Sequence, residues 1–237
     1  MKLTAHKILT HSGHGSRKVA YNLIKKGHLS IGGRLINDPK EVFDCENLVY
    51  VLSGREYSFR EFVCLAIDKP RDFEVSHKPT HHESVFKLID PIFLNREVRA
   101  VGRLDVDTTG LLLFTDCGQL NRRLMAPKNK IKKTYLITLK HVVDQDFLNK
   151  LSEGVRLNDC PDVLVKALDV TKINEFEVSL SVAEGKYHQV KRMVASASNR
   201  VEKLRRTSIG GLSINDICFK DNKAVVLRED QIKSLYN

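Results

Sequence analysis

Gly102-Arg103-Leu104-Asp105-Val106-Asp107-Thr108-Thr109-Gly110-Leu111-Leu112-Leu113-Phe114-Thr115-Asp116 is the most informative stretch of the 237-residue chain. A turn rich in Gly and Thr leads straight into an apolar run, which reads as a buried strand. Asp105 therefore sits on a loop just ahead of that strand, where a rigid scaffold can present a functional side chain. Two roles fit the residue types alone. Arg103 and Asp105 suit a structural ion pair, and Asp105 and Asp107 have the i, i+2 spacing of a weak magnesium pattern. Asp116-Cys117-Gly118 reads as the turn after the strand, with Asp116 able to cap the next helix.

Outward from this strand, Phe62–Ile67 reads as a buried strand opening the same domain. Further strands are expected at Leu111–Phe114, Tyr135–Leu139, Val163–Val170, Phe176–Val182 and Ala224–Leu227. Helices are expected at Gln119–Met125, Asp144–Leu151 and His188–Ala197. Strands and helices mix without regular alternation, which predicts an α+β fold with a mixed, largely antiparallel sheet.

The segment before Phe62 reads differently. Residues 1–60 hold ten Lys and Arg against five acids, about threefold the charge density of the rest, although the whole chain nets +10. A small basic module at 1–60 ahead of a larger domain at 61–237 is expected, with 52–62 as a polar linker. Ser16 caps a predicted helix over Arg17 to Lys26. Val19, Ala20, Leu23 and Ile24 fall on its core face, which leaves Arg17, Lys18, Lys25 and Lys26 for solvent or for phosphate. Gly27 stands where a left-handed cap belongs, and Gly32-Gly33 turns a hairpin between short strands. Leu48–Val51 is a further strand.

Composition bounds the rest. Hydrophobic residues are 42% and charged residues 29%, which excludes a wholly disordered chain. No apolar run nears the roughly 20 residues of a bilayer span, and the N-terminus lacks the apolar core of a secretion signal, so the cytoplasm is the expected location and no membrane partner is expected. The basic balance favours nucleic acid as partner. Five cysteines without a CxxC pair (Cys45, Cys64, Cys117, Cys160, Cys218) read as buried reduced thiols. His77, His81, His82 and Glu83 can be drawn as a metal cluster, but the segment reads better as a mobile loop able to touch RNA, and no metal is expected. Arg122, Arg123, Lys128, Lys130, Lys132 and Lys133, and then Arg205 and Arg206, suit a phosphate-binding surface. Nothing suggests a coiled coil, so a monomer is expected.

Two resemblances sharpen this reading. The Ser16-Arg17, Ala20, Ile24, Gly27-His28-Leu29, Ile31–Ile36 and Asp38-Pro39 pattern resembles the S4 RNA-binding domain. Gly102-Arg103-Leu104-Asp105 with Thr108–Leu113, Lys133-Thr134-Tyr135, Glu184–Met193 and Ile209-Gly210-Gly211-Leu212 resembles, in order, the motifs of the RsuA family of pseudouridine synthases. The Tyr187-His188-Gln189-Val190-Lys191-Arg192-Met193 version is similar to the type that modifies small-subunit ribosomal RNA. One departure stands out. Lys69-Pro70 is followed by Arg71-Asp72, where family members often carry Gly.

The resemblance implies isomerisation of uridine to pseudouridine in 16S ribosomal RNA, with no cofactor. The base is detached from ribose, rotated and rejoined through C5. Asp105 is implied as the catalytic carboxylate, acting either as nucleophile or as base at the sugar. The target uridine must be flipped out, and Tyr135 is implied as its stacking platform, although a Tyr in an apolar strand also suits plain core packing. Lys191 is implied as the cation beside Asp105. Arg192 faces RNA phosphate or solvent. Arg103 holds the loop or fills the gap that the base leaves. The implied substrate is a small-subunit assembly intermediate. The rivals are the same reaction on 23S rRNA, or an assembly factor that binds RNA and whose activity is incidental.

Overall fold

The computed structural model describes residues 1–157 and 160–236. The chain forms two compact units, Met1–Val63 with Ile89–Arg99, and Cys64–Leu88 with Ala100–Asn237.

The first unit starts with β1 (Lys2–Thr4), α1 (Ala5–His11) and α2 (Arg17–Lys25). The Ser16 side chain accepts from the Val19 N–H, as expected of the cap, and Gly27 takes a left-handed φ of +74° just past the helix end. Ala20 and Ile24 are buried, but Val19 is exposed, so the core stripe of α2 is narrower than its spacing suggested. A sheet follows in the order β3 (Arg34–Leu35), β2 (Leu29–Ile31), β5 (Val49–Leu52), β6 (Arg55–Ser58), while β4 (Val42–Asp44) pairs with β1. Ile31 pairs with Arg34 around Gly32-Gly33, which confirms the two-residue hairpin. The expected linker at 52–62 instead contains the end of β5, at Leu52, and all of β6, at Arg55–Ser58. Ser53-Gly54 turns the chain so that Tyr57 pairs with Tyr50, and its polar look reflects an edge strand. The short helix α3 (Pro91–Leu94) also belongs here, where Asn95 Nδ2 donates to the Gly13 carbonyl. Ile8, Leu9, Ile24, Leu29, Ile36 and Tyr50 fill the core.

In the second unit, β7 (Cys64–Lys69) is followed by the short parallel pair β8 (Phe73–Glu74) and β9 (Glu83–Ser84). The segment between them is wrapped rather than loose. The Glu74 carboxylate accepts from the N–H groups of Thr80, His81 and His82, and the His77 ring stacks on Phe86 at 3.7 Å. After β10 (Arg99–Ala100) come β11 (Thr109–Thr115), α4 (Gly118–Met125), β12 (Lys133–Leu139), α5 (Gln145–Glu153), β13 (Val155–Leu157), β14 (Cys160–Val165), β15 (Asp169–Lys172), β16 (Glu177–Val182), α6 (Gln189–Ser196), β17 (Val201–Ile209), β18 (Leu212–Ser213), β19 (Val225–Val226) and α7 (Glu229–Ser234). The main sheet runs β15-β16-β12-β17-β11-β7-β19. Only β11 and β17 are parallel along that path, so the mixed, largely antiparallel sheet is as expected.

Several local expectations need correction. Cys117, not Asp116, stands at the cap of α4. The strand expected at Val163–Val170 is two strands, β14 and β15. Phe62 is exposed and precedes β7. Cys45 and Cys64 are buried thiols, and burial pushes Cys64 up to about 12. Cys117 is partly exposed, Cys218 is exposed, and the Cys160 side chain lies outside the described residues.

Candidate active site

β11 is apolar on both faces, because Leu111, Leu112, Leu113 and Phe114 are all fully buried, and this fixes the turn that precedes it. The turn closes through Thr108 N–H to the Asp105 carbonyl at 3.1 Å. Lys69, at the end of neighbouring β7, reinforces it from below. Its ammonium is fully buried and donates to the carbonyls of Pro70, Val106 and Thr108 at 3.0, 3.1 and 2.9 Å. Burial pushes Lys69 down to about 8, against the pull of Asp107, Asp72 and Asp105. The Arg71-Asp72 departure also resolves here. Asp72 takes a left-handed φ of +65° and donates its N–H to the Val106 carbonyl at 2.9 Å, so it does the conformational work of a glycine. Gly110 cannot be replaced in the same way. It has a φ of +102°, and an added Cβ would lie 2.2 Å from the Arg206 carbonyl of parallel β17.

The turn opens onto a cleft of about 300 Å³, at the small end of ligand pockets (roughly 300–1,000 Å³). Asp105, Tyr135, Lys191 and Arg103 all line it. Lys191, in the first turn of α6, places Nζ 3.1 Å from Asp105 Oδ2 and 2.7 Å from Asp107 Oδ1. Burial disfavours the Lys191 charge, but hydrogen bonds to both carboxylates outweigh it and hold Lys191 above the ordinary lysine value. For Asp107, burial pushes upward and Lys191 more than reverses it, leaving the carboxyl below its usual range. Tyr135, on β12, is almost wholly buried at the cleft wall. Arg103 is exposed at the rim.

Arg192 is not among the residues that line the cleft; its Nη1 donates to the Tyr187 carbonyl at 2.9 Å. Arg17, Lys18 and Lys25 on α2, and Lys26 at its C-terminal cap, are exposed in the first unit, where the Arg17 guanidinium sits 5.3 Å from the Tyr21 ring centre.

Three cleft residues were not picked out as its members from sequence. His188 Nε2 lies 3.3 Å from Asp105 Oδ1, on a residue with a left-handed φ of +47° just before α6. Arg206, grouped above with surface phosphate binders, is 4% exposed and lines the cleft, and Lys133 joins it there. Burial, with the like charge of Arg206, pushes Lys133 down to about 8. Arg205 is no free surface charge either, since it holds Asp68 in a two-pronged pair at 2.9 and 2.7 Å. Among the described residues no group of three or more His, Cys, Asp and Glu is placed to hold a metal ion.

The arrangement offers one carboxylate clamped by a cation, an aromatic wall and a half-enclosed cleft. That equipment suits a nucleophile or base acting on an unstacked ring.

Comparisons with known proteins agree. The RNA pseudouridylate synthase family profile matches residues 63–196. The chain is 33% identical over 231 residues to ribosomal small subunit pseudouridine synthase A of Vibrio vulnificus, covering 97% of this chain and 98% of the relative. It is 37% identical over 224 residues to the Escherichia coli protein of the same description, covering 93% and 94%. A crystal structure described as a pseudouridylate synthase superposes with a TM-score of 0.68 at 27% identity, covering 98% of this chain and 99% of that one.

Proposed function

The chain belongs to the RNA pseudouridylate synthase family, and from that membership we propose that it converts a specific uridine of small-subunit (16S) ribosomal RNA to pseudouridine. The small-subunit target is supported by the matched relatives, which share nearly the full length and carry that substrate in their descriptions. The observation that carries the chemistry is the Lys191–Asp105 pair inside the cleft.

In this reading Asp105 is the reacting carboxylate. Lys191, 3.1 Å away, balances its charge, because an unpaired charge inside the cleft would be costly. Tyr135 is the platform for the flipped uracil. Arg103, at the rim, supports the strand from which the base has been withdrawn, and Arg192 helps to fix the start of α6. The first unit acts as an S4-like RNA-binding module, with Arg17, Lys18, Lys25 and Lys26 on phosphates. The substrate is RNA in a small-subunit assembly intermediate, where a stem or loop is still open, and the enzyme works as a monomer in the cytoplasm without a cofactor. No helix among the described residues is long and apolar enough to cross a membrane.

Tritium release from RNA labelled at uracil C5 tests this, since C5 loses its hydrogen when it becomes the glycosidic carbon. Wild-type protein should release tritium from unmodified 16S RNA, free or bound to early assembly proteins, and Asp105→Asn should not. Release from 23S RNA alone would overturn the small-subunit target, and equal release by the variant would overturn the role of Asp105.

A further inference from the structure

Buried donors in folded proteins are almost always paired, so an unmet one facing a cleft marks the place of a ligand atom. Arg206 Nη2 is buried without a hydrogen-bond partner, and Thr108 Oγ1 in the same cleft is unmet too. The guanidinium is not loose, because its Nε donates to the Leu111 carbonyl at 2.7 Å. Arg206 pairs across the strands with Tyr135, so the two side chains are neighbours on one face of the sheet. Lys133 stands two residues before Tyr135 on the same strand and therefore on the same face. Among the described residues its ammonium has only a long contact, 3.5 Å, to the Ala183 carbonyl. Asp105 already has Lys191 Nζ at 3.1 Å and His188 Nε2 at 3.3 Å as its partners, so it is not the acceptor that these two cations await.

We propose that Arg206, with Lys133 beside it, donates to the carbonyl oxygens of the uracil lying on Tyr135 and balances the charge that the base carries once detached. This rests on the pseudouridine-synthase reading above. When the bond from C1′ to N1 breaks, its electron pair leaves with N1. The free uracil is then an anion, its charge spread over N1, O2 and O4. After the ring turns, a ring electron pair forms the bond from C5 to C1′ as the bond from Asp105 to C1′ breaks, or, where Asp105 took a sugar proton, as that proton returns to the sugar; the C5 proton then leaves to solvent and N1 takes a proton up. Nothing is oxidised or reduced. The anion arises whether Asp105 attacks the sugar or removes a proton from it. Fixed donors in a water-poor cleft act most strongly on charge that appears only during the reaction.

The test compares wild type with Arg206→Gln and Arg206→Lys in tritium release at saturating RNA, RNA affinity and melting temperature. Arg206→Gln should lower the maximal rate by about 100-fold, the scale of losing one preorganised donor, and leave affinity within about threefold. Arg206→Lys should recover about tenfold of that loss by restoring charge. A rate within about threefold of wild type for Arg206→Gln overturns the proposal, and so does an equal loss in Arg206→Lys. If Arg206→Gln does not fold, Lys133→Met decides. A maximal rate about tenfold lower at unchanged affinity supports the proposal, and an unchanged rate overturns it. Wild-type protein that releases no tritium from any ribosomal RNA would sink the parent reading, and this one with it.

Discussion

Lys191 Nζ lies 3.1 Å from Asp105 Oδ2, which ties the first turn of α6 to the turn that precedes β11. The same ammonium reaches Asp107 at 2.7 Å, so removing it leaves two carboxylates facing each other in a half-enclosed site. Lys191→Met should lower turnover by about 100-fold or more, while Lys191→Arg retains more activity because its charge persists. The pH dependence of stability has a defined sign. Asp107 is lowered in the fold, so its contribution holds above the unfolded carboxylate range and is lost as pH falls through the folded value. Lys191 is raised, so its contribution holds below the unfolded lysine value and is lost as pH rises past the folded one. The stability gap between wild type and Lys191→Met should be flat from about pH 5 to 9 and shrink at both ends. Denaturant melts across that range check it; a gap that varies between pH 5 and 9 would contradict the pairing.

Tyr135 separates a stacking role from a packing role. It is buried and pairs with Arg206 across the strands. Tyr135→Phe keeps the ring and should keep most of the turnover. Tyr135→Ala removes a platform worth about 1–3 kcal/mol, so single-turnover rates should fall about 5- to 150-fold while RNA affinity changes little. Equal rates for Phe and Ala, measured on folded protein, would assign Tyr135 to the core alone.

Much of this site was legible because chemistry forces unusual residues into apolar surroundings. An Asp ahead of Leu111–Phe114 and a Lys in the His188–Ala197 helix stand out from their neighbours, and the motif resemblance joined them. Strand β17 was not legible. Glu202-Lys203 and Arg205-Arg206-Thr207 mask its alternation, since Arg206 points inward where an apolar residue would normally mark the buried face. The same masking made Arg205 and Arg206 look like solvated charges. Partners far along the chain hide them, Asp68 for one and the Leu111 carbonyl for the other. Residues 89–99 also carry no local sign that they join the first unit, because that depends on tertiary contacts such as Asn95 to Gly13.

Arg17 and Lys18 allow the RNA-binding role of the first unit to be tested without deleting it. Both are exposed in the first turn of α2, where helix N–H groups also favour phosphate. Replacing both by Gln should weaken RNA binding and reduce the slope of log affinity against log salt by about 1.4–1.8, the value for two lost phosphate contacts. Turnover at saturating RNA should stay near wild type. Filter binding from low to moderate salt checks it, and an unchanged slope would remove these two residues from the interface.

Lys69 makes the last and most structural prediction. Its ammonium closes three carbonyls, two of them in the loop that carries Asp105, and no water-exposed surface reaches it. Lys69→Met would leave those acceptors buried and unmet at about 1–3 kcal/mol each, offset in part because no charge is then buried. A net loss of about 2 kcal/mol or more is expected, with turnover falling further as Asp105 loses its fixed position. The pH signature distinguishes this from simple repacking. Lys69 is lowered to about 8 in the fold against about 10.5 when unfolded, so between those values the unfolded chain holds more protons. Its effect on stability is therefore a cost that is full below about pH 8 and relieved as pH rises towards about 10.5. Lys133 adds a second group of the same sign. Wild-type stability should thus gain from these groups across that window, and Lys69→Met should lose part of the gain while keeping the part due to Lys133. Denaturant melts at pH 7.5 and 10 measure both, and a variant with the same alkaline gain as wild type would show that the fold does not lower Lys69 from its ordinary lysine value.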